Sequence, residues 1–251
     1  MSFLSESLIT RAMRKTKYIL EAIVESKKAV VYYAVDLSEK SLRDSLAPLA
    51  SAFPSIKFVG LLGTYDDALL WAQANIQSNV SKMYLWLGSS IGNLTREEAA
   101  QFLRKVQESA MNHNDRFLCG IDHRNDPKKV AIAYNDHQGI TRDFILNGLD
   151  HINTIFAQPV LDRSKFEYVS IYNAQKGRHE AYYKSKYAQS LFNGIHTSPI
   201  LINENELINV EYSYKYSEEE VTTLLIEANL SLVTNWTDKE GLYDLYLCQK
   251  Q

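Results

Sequence analysis

LWLGSSIGN, residues 85–93, is the stretch that decides the fold. Its apolar run is followed by Gly88 and Gly92, and because glycine has no Cβ, we expect the chain to turn sharply here. Thr95 and Glu98 have the spacing of a capping box, which predicts that a helix begins directly after the turn. The stretch therefore predicts a buried strand, a tight turn and a helix.

Asn93 closes this stretch with a side chain that both donates and accepts hydrogen bonds. Its amide group can bond a carboxylate and an amine together, which favours a role in ligand binding. The alternative is a tight turn in which Asn93 adopts the left-handed conformation that asparagine tolerates. Residue types and spacing leave both interpretations open.

Upstream and downstream of this stretch, apolar runs alternate with amphipathic helical segments. The four runs are AVVYYAVD (29–36), IKFVGLLG (56–63), KMYLWLG (82–88) and RFLCGID (116–122). Helical patterns begin near residues 13, 39, 65 and 96. This alternation is typical of an α/β protein with a doubly wound, largely parallel sheet.

After residue 122 the pattern changes. A helical block (127–156) is followed by FEYVSIYN, RHEAYY and INVEYSYKY, which alternate as antiparallel strands do. A helix (217–230) and a final apolar strand, LYDLYLC, come last. We therefore predict a core over residues 1–125, an inserted α+β lobe over 126–215, and a helix and strand over 216–251 that complete the core.

Composition excludes several classes of protein. The 251 residues carry a net charge of −3, whereas nucleic-acid binders carry a basic field. No apolar stretch approaches 18 residues, so we predict no membrane span, and the N-terminus lacks the apolar region of a secretory signal. Cys119 and Cys248 lack partners at ligand spacing, which favours buried free thiols, no metal and a cytoplasmic location. The oligomeric state is not determined by these features.

Ligands of open α/β sheets bind beyond the carboxyl ends of the strands. The first of the four runs ends at Asp36, a residue type that often bonds ribose hydroxyls at this place. The alternative is a helix cap, a role that Ser38 can also fill. The run that follows ends in LLGTYDD (61–67), which is either a base-binding turn or a cap, and Asp122 is as readily a turn residue as a functional one.

One expected feature of nucleotide-binding folds is absent from the pattern. Such folds place a glycine-rich loop after their first strand. All ten glycines of this chain fall at position 60 or later, and the segment LITRAMRKTKYIL upstream of Asp36 has none. The pattern alone therefore argues against a nucleotide.

Six motifs, in this order, resemble those of the histidine-specific, S-adenosylmethionine-dependent Nα-methyltransferases: YYAVDLS, LLGTYDD, LGSSIGN, GIDHRNDP, AYNDHQGIT and EYSYKYS. That family includes ergothioneine-pathway enzymes and fungal dimethylallyltryptophan N-methyltransferases. The resemblance runs from about residue 8 to the C-terminus. It implies a Rossmann-like class I methyltransferase sheet, S-adenosyl-L-methionine as cofactor, and a small amino acid as substrate.

The resemblance also indicates a departure at the N-terminus. The family's two loop glycines correspond to Ile9 and Arg11, and its preceding helical segment has no counterpart. We therefore expect the first strand and the glycine-rich loop to be degenerate or missing, in a chain that is N-terminally incomplete. FLSESLI can supply a remnant strand, although its serines and Glu6 suit a buried position poorly.

The resemblance assigns cofactor-binding roles to five residues. Lys15 matches a lysine that approaches the cofactor's carboxylate, and Asp36 matches the ribose-binding acid. Thr64 and Tyr65 match the pair beside the adenine, and Gly88 lies where the amino-acid end of the cofactor passes. For Lys15, a solvated helix lysine is the alternative.

Five further residues are implied for the substrate. Asn93 matches the residue that holds the α-amino and carboxylate groups, and Tyr134 matches a tyrosine bonded to that carboxylate. Phe144 is assigned to the substrate side chain, and Glu211 and Ser213 to its imidazole. The alternatives are a half-buried helical aromatic for Tyr134 and a surface strand residue for Glu211. No residue is assigned as catalytic, because methyl transfer to a neutral amine depends mainly on alignment.

Three functions remain open at this stage. The first is an active Nα-methyltransferase of histidine, favoured by Glu211 and Ser213, or of a tryptophan derivative, for which Ala181 leaves volume. The second is an inactive relative that binds an amino acid or a partner, favoured by the weak first strand. The third is an incomplete piece of a whole enzyme. His179 is predicted to be buried rather than catalytic.

Overall fold

The computed structural model describes residues 2–6, 12–157, 159–191 and 199–251, with the backbone alone for 2–6 and 12–15. The chain divides into two compact units. The first unit comprises Met1–His123 and Tyr216–Gln251, and the second comprises Arg124–Lys215. None of the described helices is both long enough and apolar enough to cross a membrane.

The described residues contain twelve strands and seven α-helices. The strands are β1 (Ser2–Glu6), β2 (Val31–Asp36), β3 (Lys57–Leu62), β4 (Lys82–Trp86), β5 (Arg116–Asp122), β6 (Phe166–Asn173), β7 (Arg178–Ser185), β8 (Gln189–Leu191), β9 (Ile200–Ile202), β10 (Leu207–Tyr214), β11 (Leu230–Thr237) and β12 (Tyr243–Lys250). The helices are α1 (Ala12–Glu25), α2 (Glu39–Ala52), α3 (Tyr65–Asn75), α4 (Arg96–Ala110), α5 (Pro127–Tyr134), α6 (Ile140–Ile155) and α7 (Glu218–Glu227).

A seven-stranded sheet of order β11-β12-β5-β4-β1-β2-β3 forms the centre of the first unit. The five strands β1 to β5 run parallel, and β12 and β11 are added antiparallel. The four predicted apolar runs are β2 to β5, and a helix follows each of β2, β3 and β4. The predicted α/β fold with a doubly wound sheet is therefore confirmed.

The strand β1 corrects one expectation. Instead of being degenerate or missing, it lies in the middle of the sheet and pairs in parallel with both β2 and β4. The backbone hydrogen bonds of a strand do not depend on its side chains, so polar residues do not prevent this pairing. The loop positions Ile9 and Arg11 lie outside the described residues.

Packing on the sheet follows the periodicity of the helices. Buried Leu20 of α1 and Leu42 and Leu49 of α2 join Tyr32 and Leu85 of the sheet in one hydrophobic core. At the amino end of β4, the ammonium of Lys82 and the carboxylate of Asp115 form a buried ion pair at 2.8 Å. Asp115 also accepts the backbone N–H of Lys82 at 2.7 Å, which ties the start of β4 to the turn before β5.

The second unit consists of an antiparallel sheet, a hairpin and two helices. The sheet has the order β10-β7-β6, as the alternating sequence predicts, and β8 pairs with β9. The helical block predicted over 127–156 is divided into α5 and α6. Leu149 of α6, Phe166 of β6 and Ala181 and Tyr183 of β7 lie in the core of this unit.

The C-terminal segment differs from its prediction in one element. The predicted helix over 217–230 ends at Glu227, and a strand, β11, begins at Leu230. Asn229 adopts a positive φ of 54°, which ends the helix and starts the strand. Because β11 lies at the edge of the sheet and is largely exposed, its sequence lacks the apolar signal of a buried strand.

Candidate functional site

The carboxyl ends of β1 to β4 meet at one edge of the first unit. The strand order reverses at β1, which has β2 and β3 on one side and β4 and β5 on the other. Ligands of such sheets bind in the crevice at this reversal. The side chains that follow β2, β3 and β4 therefore delimit a candidate ligand site.

Asp36 is the last residue of β2 and is half-buried. Its Oδ1 accepts the backbone N–H of Ser38 at 2.8 Å, whereas its Oδ2 accepts no hydrogen bond from the described residues. Ser38 is the N-cap of α2 and accepts the N–H of Ser41. Since Ser38 fills the capping position, the second oxygen of Asp36 is available for a ligand hydroxyl.

Thr64 and Tyr65 follow β3 at the start of α3. The hydroxyl of Thr64 accepts the N–H of Asp67 and donates to its carboxylate at 2.6 Å, so Thr64 takes part in a capping box. That hydrogen bond lowers the pKa of Asp67. The ring of Tyr65 is 39% exposed. It packs edge-on against the ring of Phe102, with the two ring centroids 5.8 Å apart. Thr64 thus has a structural role, and Tyr65 offers an aromatic surface.

An apolar cavity of about 60 Å³ lies between the sheet and helices α3 and α4. Aromatic and aliphatic side chains dominate its lining, among them Val35, Tyr65, Leu69, Trp86, Phe102 and Phe117. Tyr65 is the most exposed of these six side chains. A cavity of this size is smaller than a typical ligand pocket, so among its lining residues it is the partly exposed ring of Tyr65 that offers a surface to a ligand.

The turn after β4 is built differently from the prediction in two details. Gly88 has a φ of +96°, and a Cβ placed there would meet nothing within 4 Å. The left-handed residue is Ser89, with φ 65°, and not Asn93. Gly92 does not turn the chain by itself, because it lies buried in the 3-10 helix Ser90–Asn93. Asn93 is exposed at the end of that helix.

Two neighbours hold this turn in place. Gly88 donates its backbone N–H to the hydroxyl of Tyr243 at 3.0 Å, and Asp122 donates its N–H to the hydroxyl of Ser89 at 2.9 Å. The Tyr243 ring passes over Gly120 of β5, where a Cβ would lie 1.7 Å from the Tyr243 hydroxyl. The turn is therefore braced by β5 and by the last strand, β12.

The second unit brings together residues that are far apart in the sequence. The hydroxyls of Tyr134 and Ser213 lie 2.7 Å apart, although 79 residues separate them. The ammonium of Lys215 donates to Tyr134 at 2.7 Å and to Ser213 at 3.2 Å. Glu211 is the direct neighbour of Ala181 on the strand pair, and alternation places it on the same side as Ser213.

The charge state of this cluster depends on burial. Burial raises the pKa of Glu211, while the nearby charge of Lys215 opposes that rise. Burial and then Lys215 lower the pKa of His179 to about 4, so its imidazole is neutral at pH 7. The ring of His179 stacks on that of Tyr134 at 3.9 Å, and His179 is buried, as predicted.

Phe144, Ala181 and Lys15 also have predicted roles. Phe144 of α6 is 75% exposed. Ala181 is fully buried in the core of the second unit. Lys15 lies in the first turn of α1, and its side chain is outside the described part of the chain.

Sequence reasoning missed Lys215 and Tyr243. Lys215 continues the alternation Glu211-x-Ser213-x-Lys215, and that period of two is the signal that could have found it. Tyr243 lies in an apolar strand pattern and carries no such signal. Its role follows only from the pairing of β12 with β5.

Comparison with known proteins assigns the chain to a family. The profile of a family described as "Histidine-specific methyltransferase, SAM-dependent" matches residues 10–250. Ergothioneine biosynthesis protein 1 of Neurospora crassa is 39% identical over 240 residues, which cover 95% of this chain and 26% of that relative. The protein of the same name from Schizosaccharomyces pombe is 32% identical over 246 residues, which cover 95% of this chain and 31% of that relative.

A third relative is the 4-dimethylallyltryptophan N-methyltransferase of Aspergillus fumigatus, 32% identical over 236 residues, which cover 90% of this chain and 68% of that relative. The chain spans about a quarter to a third of the length of the two ergothioneine relatives. The family profile, by contrast, covers nearly the whole chain. The chain therefore belongs to the histidine-specific, S-adenosylmethionine-dependent methyltransferase family.

Proposed function

We propose that this chain is an S-adenosylmethionine-dependent Nα-methyltransferase of a free amino acid, with histidine as the substrate. The observation that carries the proposal is the hydrogen bond between Tyr134 and Ser213. The fold joins two residues that the resemblance assigns to the substrate, and it places the third, Glu211, on the same side of the strand. The cluster contains both hydroxyl groups and a carboxyl group, as recognition of a small zwitterion requires.

The residues of the first unit fit the cofactor. Asp36 has a carboxylate oxygen without a partner among the described residues, which suits the ribose hydroxyls. The partly exposed ring of Tyr65 offers an aromatic surface that suits the adenine. Gly88 leaves open space where a Cβ would stand, so a ligand can approach the backbone there. When bound, S-adenosylmethionine supplies an electrophilic methyl group on a sulfonium.

The protein contributes to the reaction by aligning the methyl donor with the amine that accepts the methyl group. Transfer of a methyl group to an amine is an in-line displacement, and holding the two reacting groups in line contributes most of the reduction in barrier. In the proposed site, Tyr134 holds the carboxylate group of the substrate. Glu211 and Ser213 hold the side chain. No side chain forms a covalent bond to the substrate.

Histidine is favoured over a tryptophan derivative by hydrogen-bond chemistry. A neutral imidazole has one N–H donor and one acceptor nitrogen, whereas an indole has a donor alone. Glu211 can accept and Ser213 can donate, so the pair satisfies both nitrogens of an imidazole. Sites that hydrogen-bond a substrate group discriminate strongly against analogues that lack it. The relatives named for ergothioneine biosynthesis support the same choice.

The alternative that the chain is an inactive relative of the methyltransferases loses its main support. That support was a missing central strand, and β1 is paired on both sides. As the site of action we propose the cytoplasm, because Cys119 and Cys248 are buried free thiols, as suits a reducing compartment. The proposed partner is the small-molecule substrate.

The test begins with calorimetric titration of the chain with S-adenosylmethionine, with and without L-histidine. We expect binding in the micromolar range that histidine strengthens, followed by methylation of histidine and not of 4-dimethylallyltryptophan. Asp36→Asn keeps the bond to Ser38 and should weaken cofactor binding at least tenfold. Asp44→Asn, at an exposed aspartate of α2, is the control.

A second pair of variants separates the substrate from the cofactor. Glu211→Gln should weaken histidine binding at least tenfold without changing the affinity for the cofactor. A folded chain that binds no S-adenosylmethionine would overturn the proposal. Methylation of 4-dimethylallyltryptophan in preference to histidine would overturn the choice of substrate.

A further inference from the structure

Lys215 is a buried cation at the centre of the second unit's polar cluster. Its side chain is 4% exposed, and it directly follows β10, two residues after Ser213. Its backbone N–H donates to Gly177 at 2.7 Å, which fixes the position of its Cα. Burying an ammonium costs several kcal/mol unless its hydrogen bonds are made, so the oxygens that accept from Lys215 are needed to keep it buried.

The hydrogen bonds of Lys215 determine how the neighbouring hydroxyls are used. An ammonium only donates, so the oxygens of both Tyr134 and Ser213 accept from its Nζ. The two hydroxyls also bond each other at 2.7 Å, which uses one of their two hydrogens. The other hydroxyl hydrogen has no acceptor among the described residues of the cluster. It is therefore available to an acceptor group of a ligand.

The rest of the cluster holds this arrangement rigid. His179 stacks on Tyr134 with the two rings 13° from parallel, and its Nε2 is bonded to the hydroxyl of Ser170 at 2.8 Å. The hydroxyl of Tyr168 donates to the backbone oxygen of Tyr134 at 2.8 Å. Tyr134 is thus fixed at its ring and at its backbone, and Lys215 fixes its hydroxyl.

Charge favours an anionic acceptor at the free hydroxyl hydrogen. The donors of the cluster are polarised by the ammonium, and charge-assisted hydrogen bonds are about twice as strong as neutral ones. His179, the other basic group here, is neutral at pH 7 because of its burial. The cationic side chain of the cluster is therefore Lys215, which interacts electrostatically with the carboxyl group of Glu211.

We propose that Lys215 is a positioning residue that orients the hydroxyl of Tyr134 toward the carboxylate of the amino-acid substrate and supplies the positive charge that this carboxylate requires. The inference rests on the proposed function and adds to it a residue that selects carboxylate-bearing substrates. Lys215 does not touch the reacting nitrogen. An amine that lacks the carboxylate gains nothing from it.

The test compares L-histidine with histamine, which lacks only the carboxylate. Binding of each is measured by calorimetry in the presence of S-adenosylhomocysteine, for the wild type, Lys215→Met and Lys215→Gln. We expect each folded variant to bind histidine at least tenfold more weakly and histamine within twofold of the wild type. KM for histidine should rise at least tenfold, while kcat falls less than threefold.

Two features of the design keep the outcomes separable. Lys184→Met is the matched control, because Lys184 lies on the same sheet, is 32% exposed, and is ion-paired with Glu167 at 3.0 Å. Lys215→Gln keeps two amide donors, so it serves where Lys215→Met does not fold. Equal histidine binding by wild type and a folded Lys215 variant, or equal losses for histidine and histamine, would overturn this inference alone. A wild type that binds cofactor but no histidine would overturn it together with the proposed substrate.

Discussion

The hydroxyl of Tyr243 accepts the backbone N–H of Gly88 at 3.0 Å and thereby joins the last strand to the turn after β4. Burial raises the pKa of Tyr243 to about 12, so the hydroxyl stays protonated at neutral pH. It reaches Gly88 because its ring crosses β5 at Gly120, where no Cβ stands in the way. The geometry of the proposed cofactor turn thus depends on a residue near the C-terminus.

A methyl group at position 120 should disrupt this brace. In Gly120→Ala, the Cβ would lie 1.7 Å from the Tyr243 hydroxyl and 2.5 Å from its Cζ, so the ring must move. We expect the free energy of unfolding to fall by about 1–3 kcal/mol, as for other overpacked sites. Urea denaturation measures this change.

The double variant shows whether the ring is the cause. In a Tyr243→Leu background the clash at position 120 disappears, so Gly120→Ala should then cost less than about 1 kcal/mol. Equal costs in both backgrounds would show that the glycine is needed for its backbone and not for the ring.

Removing the Tyr243 hydroxyl should weaken cofactor binding as well as lower stability. Tyr243→Phe leaves the ring in place and removes the acceptor for Gly88, at a cost of about 0.5–1.5 kcal/mol. Because the turn loses its brace, we expect the dissociation constant of S-adenosylmethionine to rise about three- to tenfold. Isothermal calorimetry of the folded variant measures it.

Tyr246 provides the matched control. It lies on the same strand, and its hydroxyl donates to the buried carboxylate of Asp244 at 2.6 Å. Tyr246→Phe should cost stability without changing cofactor affinity. If both variants bind S-adenosylmethionine with the same affinity, the hydrogen bond between Gly88 and Tyr243 does not contribute to cofactor binding.

Thr64 can be tested against a second threonine in the same structural role. Thr64 and Thr95 each form a capping box, at the starts of α3 and α4. Thr64→Val and Thr95→Val should each lose about 1 kcal/mol of stability. If Thr64 also lies beside the adenine, only Thr64→Val should weaken S-adenosylmethionine binding several-fold, and Thr64→Ser should restore it. Equal affinities of the two valine variants for S-adenosylmethionine would show that Thr64 acts only as a helix cap.

Local patterns predicted much of the first unit. Apolar runs, capping boxes and helical periodicity located β2 to β5 and α1 to α4 because each signal lies within a few consecutive residues. β1 was expected to be degenerate or missing because its serines are atypical of a buried strand. Its pairing is nevertheless made by the backbone. β11 was missed because an exposed edge strand has no apolar signal to detect.

The candidate site was predicted less completely because its bonds join distant segments. The contact between Tyr134 and Ser213 spans 79 residues, and that between Gly88 and Tyr243 spans 155. No spacing rule relates such positions, so Tyr134 and Ser213 were named only through the family resemblance. Tyr243 was not named at all, because strand pairing alone brings it to the turn.

The buried imidazole of His179 should make stability depend on pH. Its pKa in the folded protein is about 4, below the ordinary value of 6.5, because burial disfavours the charged ring. Between pH 6.5 and pH 4 the unfolded chain therefore binds a proton that the folded chain does not. The full contribution of neutral His179 to stability is present above pH 6.5. The free energy of unfolding should therefore fall as the pH is lowered from 6.5 to 4. The slope from this group is at most about 1.4 kcal/mol per pH unit.

A histidine-to-glutamine pair isolates this contribution. His179→Gln removes the titrating group and retains an amide that can bond Ser170, whereas His113→Gln alters an exposed histidine. Urea denaturation from pH 4.5 to pH 7.5 should give wild type and His113→Gln the same dependence on pH. His179→Gln should be less stable at pH 7.5, since its stack on Tyr134 is lost, but should lose less stability on acidification. Parallel curves for all three proteins would show that His179 titrates alike in the folded and unfolded chain, against its burial in the cluster.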